Sequence, residues 1–199
     1  MEKLSRERLW SLEEYAVERE SFRRQVINHK QARRVALSSH ATLLFEDFLT
    51  MKYQVQEMLR VERIFEPSAI EEEIAAYNPL IPDGSNWKAT LLFEYPDPGL
   101  RAKSLSQLQG AEHRVWVDVQ GFPPHFAIAN EDLDRTNASK TAAVHFLRFE
   151  FTPEEIDAMR SQQSVRLGID HDAMLCETSL DESVGRSLFE DFAEPEPQR

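Results

Sequence analysis

Short apolar segments that alternate with polar residues recur in adjacent pairs along this chain, and this pairing constrains the fold more than any other feature. Residues 35–37 and 41–46 flank a short turn, HRVWVDV and HFAIA flank QGFPP, and SVRLGI and AMLCE flank a turn at 170–172. Two-residue periodicity predicts strands, and short connections make neighbouring strands antiparallel. The sequence therefore predicts β-hairpins and not βαβ crossovers.

Helical patterns lie between these hairpins. Ser11 and Glu14 have the spacing of a capping box, and apolar residues at helical intervals predict a helix over residues 12–32. Ser179 and Glu182 predict a second capped helix near the C-terminus. The order of elements indicates an α+β fold, in which a largely antiparallel sheet built from hairpins is packed by several amphipathic helices.

The domain organisation follows from the chain length and from the lack of repeats and long linkers. The chain has 199 residues, shows no internal repeat, and has no linker long enough to separate two domains. We expect a single domain over residues 1–192. The final segment, 193–199, is rich in proline and glutamate and is predicted to be a disordered acidic tail.

The charge of the chain is uneven. Residues 1–63 hold 12 Lys/Arg and 10 Asp/Glu, whereas the rest carries most of the net charge of −12. This acidic body argues against binding to nucleic acid or to an anionic membrane. The lone Cys176, the lack of a signal-peptide pattern and the short apolar runs predict a cytoplasmic protein without a disulfide framework. Oligomeric state stays open.

The common catalytic motifs are absent from the sequence, including phosphate loops, GxSxG and HExxH. His145 is the most notable single residue, because it alternates with Leu147 and Phe149 on an apolar strand face. A core histidine with satisfied hydrogen bonds is one interpretation. The other is a site for a divalent transition metal (Zn, Fe or Mn), whose ligands we predict as His40, Glu46, Glu57 and His145.

A stiff polar loop precedes the strand that begins near Trp87. Its sequence, NPLIPDGSNWK, contains two prolines and a Pro-Asp-Gly turn signal, so we expect an ordered loop. One interpretation is a rigid connection with Trp87 as a core residue. The other is a pocket wall, whose ligand- or partner-binding groups are predicted to be Asn78, Asp83, Asn86 and Lys88.

The N-terminal helix carries several basic side chains along one side. Arg19, Arg23, Lys30 and Arg34 form a solvated face or, in the functional interpretation, a surface that docks a partner.

Four long stretches resemble a known family. RRVALSSHATLLFEDFLTMKYQVQEMLRVERIFE, YNPLIPDGSNWKATLLFEYPD, RVWVDV and KTAAVHFLRFEFTPE are similar to the bacterial domain of unknown function 3501, over roughly residues 3–190. The family brings no assigned activity or site residues. The resemblance implies gene neighbours that encode rubrerythrin and an iron–sulfur protein similar to heterodisulfide-reductase subunits, and hence a link to peroxide defence or redox metabolism.

Three functions are therefore expected from the residues and from this resemblance. The first is a non-catalytic accessory protein that binds a rubrerythrin or iron–sulfur partner. The second is a metalloprotein or metalloenzyme that uses the His/Glu set. The third is a module that binds a small ligand through the polar loop without a metal.

Overall fold

The structure is a computed structural model that describes residues 2–131 and 140–193. The predicted tail therefore lies outside the described residues, except for Ala193, and the single domain stays a prediction. The helices are α1 Leu12–Gln31, α2 Phe48–Glu62, α3 Pro67–Tyr77, α4 Pro98–Gln107, α5 Pro153–Arg160 and α6 Glu182–Phe189. The strands are β1 Arg34–Ser38, β2 Ala41–Glu46, β3 Asn86–Phe93, β4 Val115–Val119, β5 His125–Phe126, β6 Ile128–Ala129, β7 Val144–Glu150, β8 Val165–His171 and β9 Met174–Ser179.

The strands form two sheets in which neighbours run antiparallel. The five-stranded sheet has the order β1-β2-β3-β7-β6, and the four-stranded sheet has the order β5-β4-β8-β9. The predicted α+β class is confirmed, although hairpin patterns alone did not separate the strands into two sheets. No helix in the described part of the chain is both long and apolar enough to cross a bilayer.

A single apolar core joins one face of each sheet. Trp87, Leu91 and Phe149 from the five-stranded sheet belong to the same buried cluster as Val117 and Leu167 from the four-stranded sheet. The alternation in each strand places these residues on one face and the residues between them on the other. The sheets therefore bury their apolar faces together, and the opposite face of the five-stranded sheet is left for other contacts.

The segment after Pro124 differs from the predicted hairpin. His125–Phe126 pairs with β4, but Ile128–Ala129 pairs with β7 in the other sheet. Ala127 bridges the two, because its buried side chain lies in the shared core and its N–H donates to Val115 O at 2.8 Å. The chain thus changes sheets within three residues, which a local alternation pattern does not reveal.

The predicted caps are formed at one helix and shifted at another. Ser11 and Glu14 make the reciprocal capping box of α1. At α6 the cap is Asp181, not Ser179. Ser179 is still paired with Arg166 in the β8–β9 ladder, so the strand extends further than the capping pattern indicates.

Helix α6 is attached to the sheet through the buried side chain of Arg33. This guanidinium donates to Phe45 O at 3.1 Å, to Ser187 O at 3.0 Å and to Asp191 Oδ2 at 2.5 Å. Its Nε also lies 3.5 Å from Oδ2 of Asp47, which caps α2. Two carboxylates therefore share this one arginine.

The two aspartates respond differently to this shared charge. Burial favours neutral Asp47, but the hydrogen bond with His29 and the charge of Arg33 outweigh it and hold the pKa of Asp47 below its usual range. Burial raises the pKa of Asp191 to about 7, because it outweighs the attraction of Arg33. The stability of the folded chain is therefore coupled to the ionisation of Asp191.

Candidate functional site

A row of charged side chains crosses the outer face of the five-stranded sheet. Glu46 on β2 pairs in register with Lys88 on β3, and Lys88 pairs with Arg148 on β7. Residues directly opposite each other in antiparallel strands share a face, with Cβ atoms about 5 Å apart. The three side chains therefore lie on the face that does not enter the common core.

An open cleft of about 370 Å³ lies over the Lys88 and Arg148 end of this row. Pro79, Leu80 and Asp83 from the loop before β3 form one wall. The other lining residues come from the sheet and from the segment after β6, namely Lys88, Glu131, Phe146, Leu147 and Arg148. The cleft thus combines four charged side chains with an apolar lining.

The loop that forms the wall is held by its own polar groups. The Asn78 side chain accepts from Leu4 N at 2.8 Å and donates to Leu4 O at 3.0 Å. The Asn86 side chain donates to Asp83 Oδ1 at 2.7 Å, and Lys3 Nζ donates to Ile81 O at 2.6 Å. Two of the predicted ligand-binding groups, Asn78 and Asn86, therefore contact the protein itself and fix the loop.

The base of the loop is anchored in the core. Trp87 is fully buried, its indole N–H donates to Leu188 O at 3.0 Å, and its ring stacks on Phe192 at 5.5 Å. Because Trp87 faces inward, the next residue, Lys88, faces outward into the cleft. The loop before β3 is therefore a rigid connection to the core and also forms a wall of the cleft.

Arg148 is engaged by two carboxylates. Its Nε and Nη2 donate to Glu131 at 2.8 and 2.7 Å, and its Nη1 donates to Glu150. This paired geometry is the arrangement that best stabilises an arginine charge. Arg148 therefore has a fixed position and a fixed positive charge beside Lys88.

Lys88 differs from the other cations around the cleft. Its ammonium makes no hydrogen bond and no ion pair with the residues described, whereas Lys3 and Arg148 each have partners. Burial lowers the pKa of Lys88, and the nearby charge of Arg148 lowers it further, against the opposing charges of Glu131 and Asp83. A half-buried cation without a partner is costly, which marks it as a functional candidate.

Glu46 is the buried member of the row. Its side chain is 5% exposed, and its Oε1 accepts from Thr90 Oγ1 at 2.6 Å. Its Oε2 has no hydrogen-bond partner within the described residues. Glu46 therefore supplies a carboxylate oxygen with unused acceptor capacity one strand away from Lys88.

The structure distributes the predicted metal ligands over separate places. His40 lies in the β1–β2 turn, where it stacks on Tyr95 at 4.4 Å, and Glu46 lies at the other end of β2, about 20 Å away at roughly 3.3 Å per residue. Glu57 accepts from Arg19 at 2.7 and 2.9 Å and from Tyr15 at 2.8 Å. The hydrogen bond from Arg19 lowers the pKa of Glu57 to about 2.

His145, the fourth predicted ligand, is completely buried in a polar network. Its Nε2 lies 2.8 Å from Thr141 Oγ1 and 3.0 Å from Ala142 O, and its Nδ1 lies 3.1 Å from Asn130 Oδ1. Thr141 also contacts the buried Glu112 at 3.2 Å. Within residues 2–131 and 140–193, no group of three or more His, Cys, Asp or Glu residues has the geometry to hold a metal ion.

The predicted docking residues are used unevenly. Arg19 is held by Glu57, and Arg34 contacts Glu94 at 3.3 Å, whereas Arg23 is exposed. Lys30 and Arg34 border a groove of about 330 Å³ between α1 and the outer face of the five-stranded sheet. The other residues along this groove are Ile27, Gln31, Thr42, Leu44, Leu92 and Glu94.

Sequence reasoning did not select Arg148 and Glu131, which line the cleft, whereas it selected Asp83 and Lys88, which line it too. The available signal was the alternation of β7, which places Arg148 and Glu150 opposite the apolar face of that strand. Only the register with β3 shows that this polar face lies beside Lys88.

Comparison with known proteins supports the resemblance seen in the sequence. The family described as "Protein of unknown function (DUF3501)" matches residues 3–192. A solved structure, titled a novel protein of unknown function from Burkholderia pseudomallei K96243, is 42% identical in sequence with a TM-score of 0.91. The match covers 96% of this chain and 100% of that one. No curated protein matches.

Proposed function

This chain belongs to the DUF3501 family, and we propose that it is a binding module for a small organic monocarboxylate, which it holds in the cleft over Lys88. The observation that carries this proposal is the half-buried Lys88 ammonium, which has no partner in the described structure although Asp83, Glu131 and Arg148 around the cleft each have one. A ligand carboxylate supplies the missing partner and stabilises the charge.

The surrounding charges favour a single negative charge on the ligand. Arg148 is shared by Glu131 and Glu150, and the charge of Asp83 opposes that of Lys3. With Lys88 included, the formal charges of these six groups sum to zero, and the Glu46 carboxylate lies one strand further along the row. A phosphate dianion would add a second negative charge beside Glu131 and Asp83 and be repelled, whereas a monocarboxylate pairs with Lys88 alone.

The size and the walls of the cleft indicate a small ligand. A volume of about 370 Å³ is at the lower end for small-molecule sites, which start near 300 Å³. Pro79, Leu80 and Phe146 supply apolar surface next to the charged row. These features suit a carboxylic acid with a short carbon chain, whose apolar part contacts the loop wall.

Thermal unfolding with lactate as the probe tests this proposal. At a concentration about 100 times the dissociation constant, a ligand that binds only the folded state stabilises it by about 2.7 kcal/mol. We expect lactate to raise the melting temperature of the wild type and of Lys103→Met, whose side chain is exposed on α4, but not that of Lys88→Met. Equal shifts in all three proteins, or none in the wild type, would contradict the proposal.

The groove beside α1 supports a second candidate function, docking of an acidic partner protein. Its apolar floor contains Leu44 and Leu92, the 44% exposed Ile27 lies at its side, and Lys30 and Arg34 add positive charge. Apolar contacts with a charged rim are typical of transient protein interfaces. The resemblance implies an accessory role in a redox system. In this second function, the partner that docks at the groove is a rubrerythrin or an iron–sulfur protein.

Binding to purified rubrerythrin from the same organism tests this second function. Lys30→Glu reverses a charge at the groove, whereas Arg24→Glu reverses an exposed charge on α1 that does not line it. We expect Lys30→Glu to weaken binding more than Arg24→Glu, and the difference to shrink at high salt. Lack of binding by the wild type, with both rubrerythrin and the iron–sulfur neighbour, would remove this role.

A further inference from the structure

We infer that Lys88 forms a covalent imine with a carbonyl group of its ligand, so that the ligand class is a small 2-oxo acid. This inference rests on the proposed function and narrows it from any monocarboxylate to one with a ketone or aldehyde beside the carboxylate. It depends on three features of the row across the sheet. The Lys88 amine has no partner among the described residues, the Arg148 cation beside it is held by two carboxylates, and the Glu46 carboxylate has an oxygen without a hydrogen bond to the described residues.

The amine of Lys88 is available for reaction. Nζ makes no hydrogen bond or ion pair with the described residues, and it lies at an open cleft large enough for a small ligand. Lysines that react with carbonyl compounds are commonly activated by desolvation or by another cationic group nearby. Lys88 has both, because it is half-buried and because Arg148 is its register partner on β7.

The cation beside Lys88 cannot move away or lose its charge. The two carboxylates that hold Arg148 fix the guanidinium in place, and arginine stays protonated in proteins. Burial, followed by this charge, lowers the pKa of Lys88 below that of an ordinary lysine. A larger fraction of Lys88 is therefore neutral and nucleophilic at physiological pH than of an exposed lysine.

Glu46 supplies the proton transfers that imine formation needs. It is the register partner of Lys88 on β2, and its Oε2 is buried without a partner in the described residues. No direct ion pair joins the two side chains, so in this inference the proton passes between them through a water molecule or the hydroxyl of the intermediate. Thr90 holds Oε1 and thereby orients the carboxylate.

The reaction balances without an oxidant or a reductant. The Lys88 ammonium first releases a proton to solvent. The lone pair of neutral Nζ then attacks the carbonyl carbon, a C–N bond forms as the C=O π bond breaks, and the carbonyl oxygen takes up a proton from solvent to give a carbinolamine. Glu46 accepts a proton from the nitrogen and returns one to the hydroxyl, which leaves as water while the C=N bond forms. The protonated imine keeps one positive charge, so it still compensates the ligand carboxylate.

Borohydride trapping with pyruvate tests the imine. We expect the wild type to gain one reduced adduct, mapped to Lys88 by peptide mass analysis, while lactate gives none and competes with pyruvate. Labelling at Lys88 should exceed labelling at exposed Lys103 by about tenfold for each unit that separates their pKa values. Glu46→Gln keeps the shape of the side chain and should slow trapping by roughly a hundredfold.

The outcomes separate the inference from the function on which it rests. If lactate raises the melting temperature through Lys88 but pyruvate leaves no adduct at Lys88, the imine is refuted and carboxylate binding stands. An adduct spread equally over Lys88 and Lys103 also refutes the imine. If neither acid raises the melting temperature and no adduct forms, both fail. Trapping at wild-type rate in Glu46→Gln overturns the assigned role of Glu46.

Discussion

The charge of Asp191 provides a quantitative test of how α6 is held against the sheet. Substitution Asp191→Asn keeps the size of the side chain and an oxygen that accepts from Arg33, but it removes the titratable group. Burial raises the pKa of Asp191 to about 7 in the folded protein. An aspartate in an unfolded chain has a pKa of about 3.9.

The sign of the effect follows from these two values. Because the pKa is raised on folding, the folded state prefers the neutral acid, and the stability associated with Asp191 is fully present below about pH 3.9. It is lost as the pH rises through the folded pKa of about 7. At about 1.4 kcal/mol for each pKa unit, the difference of roughly 3 units corresponds to about 4 kcal/mol.

Urea denaturation from pH 4 to pH 8 measures this effect. Fluorescence follows unfolding, because Trp87 stacks on Phe192 next to Asp191. As the pH rises from 4 to 8, the unfolding free energy of Asp191→Asn should increase by about 4 kcal/mol relative to that of the wild type. The matched variant Asp172→Asn, at an exposed turn, should track the wild type.

The comparison with Asp191→Asn isolates Asp191 from the other titratable groups, which the two proteins share. A difference between variant and wild type that stays constant with pH, or that falls as pH rises, would refute the reasoning. It would mean that the pairing with Arg33 prevails over burial and keeps Asp191 ionised throughout.

Three further substitutions test other parts of the account. Lys88→Met should leave the unfolding free energy unchanged or raise it, and a loss above about 1 kcal/mol in urea would reveal a stabilising partner. Trp87→Ala should cost about 3–5 kcal/mol by the same assay, because the indole is fully buried, and a loss below about 1 kcal/mol would contradict its core role. Gly168→Ala should cost about 1–3 kcal/mol and alter Trp116 fluorescence, because the added methyl would lie 2.4 Å from Cys176 O and 2.5 Å from the Trp116 indole. If Gly168→Ala left the melting temperature and the Trp116 fluorescence spectrum unchanged, the surrounding residues would have moved to accept the methyl group at no cost.

Local features of the fold could be predicted well from the sequence. The capping box of Ser11 and the hairpin around His40 depend on groups a few residues apart, so their patterns are visible in a short window. The division into two sheets was not predictable in this way. It depends on Ala127, where the chain leaves one sheet for the other, and on pairings with strands far away in sequence.

In the candidate site too, residues close together in sequence could be predicted, whereas residues brought together by strand pairing could not. Asp83 and Lys88 were predicted because loop and strand are continuous in sequence. Arg148 reaches Lys88 only through the β3–β7 register, 60 residues further along the chain. Asn78 and Asn86 have the chemistry of ligand-binding groups, but the structure uses their amides to fix the loop.

The most direct test of the central claim observes the Lys88 side chain itself. In protein labelled with ¹³C at the lysine ε-carbon, the Lys88 resonance is assigned by its loss in Lys88→Arg and is followed by NMR during titration with lactate. A saturable shift of this resonance, with the Lys103 resonance unchanged, is the result we predict. A Lys88 resonance that stays in place at saturating lactate would contradict carboxylate binding in the cleft.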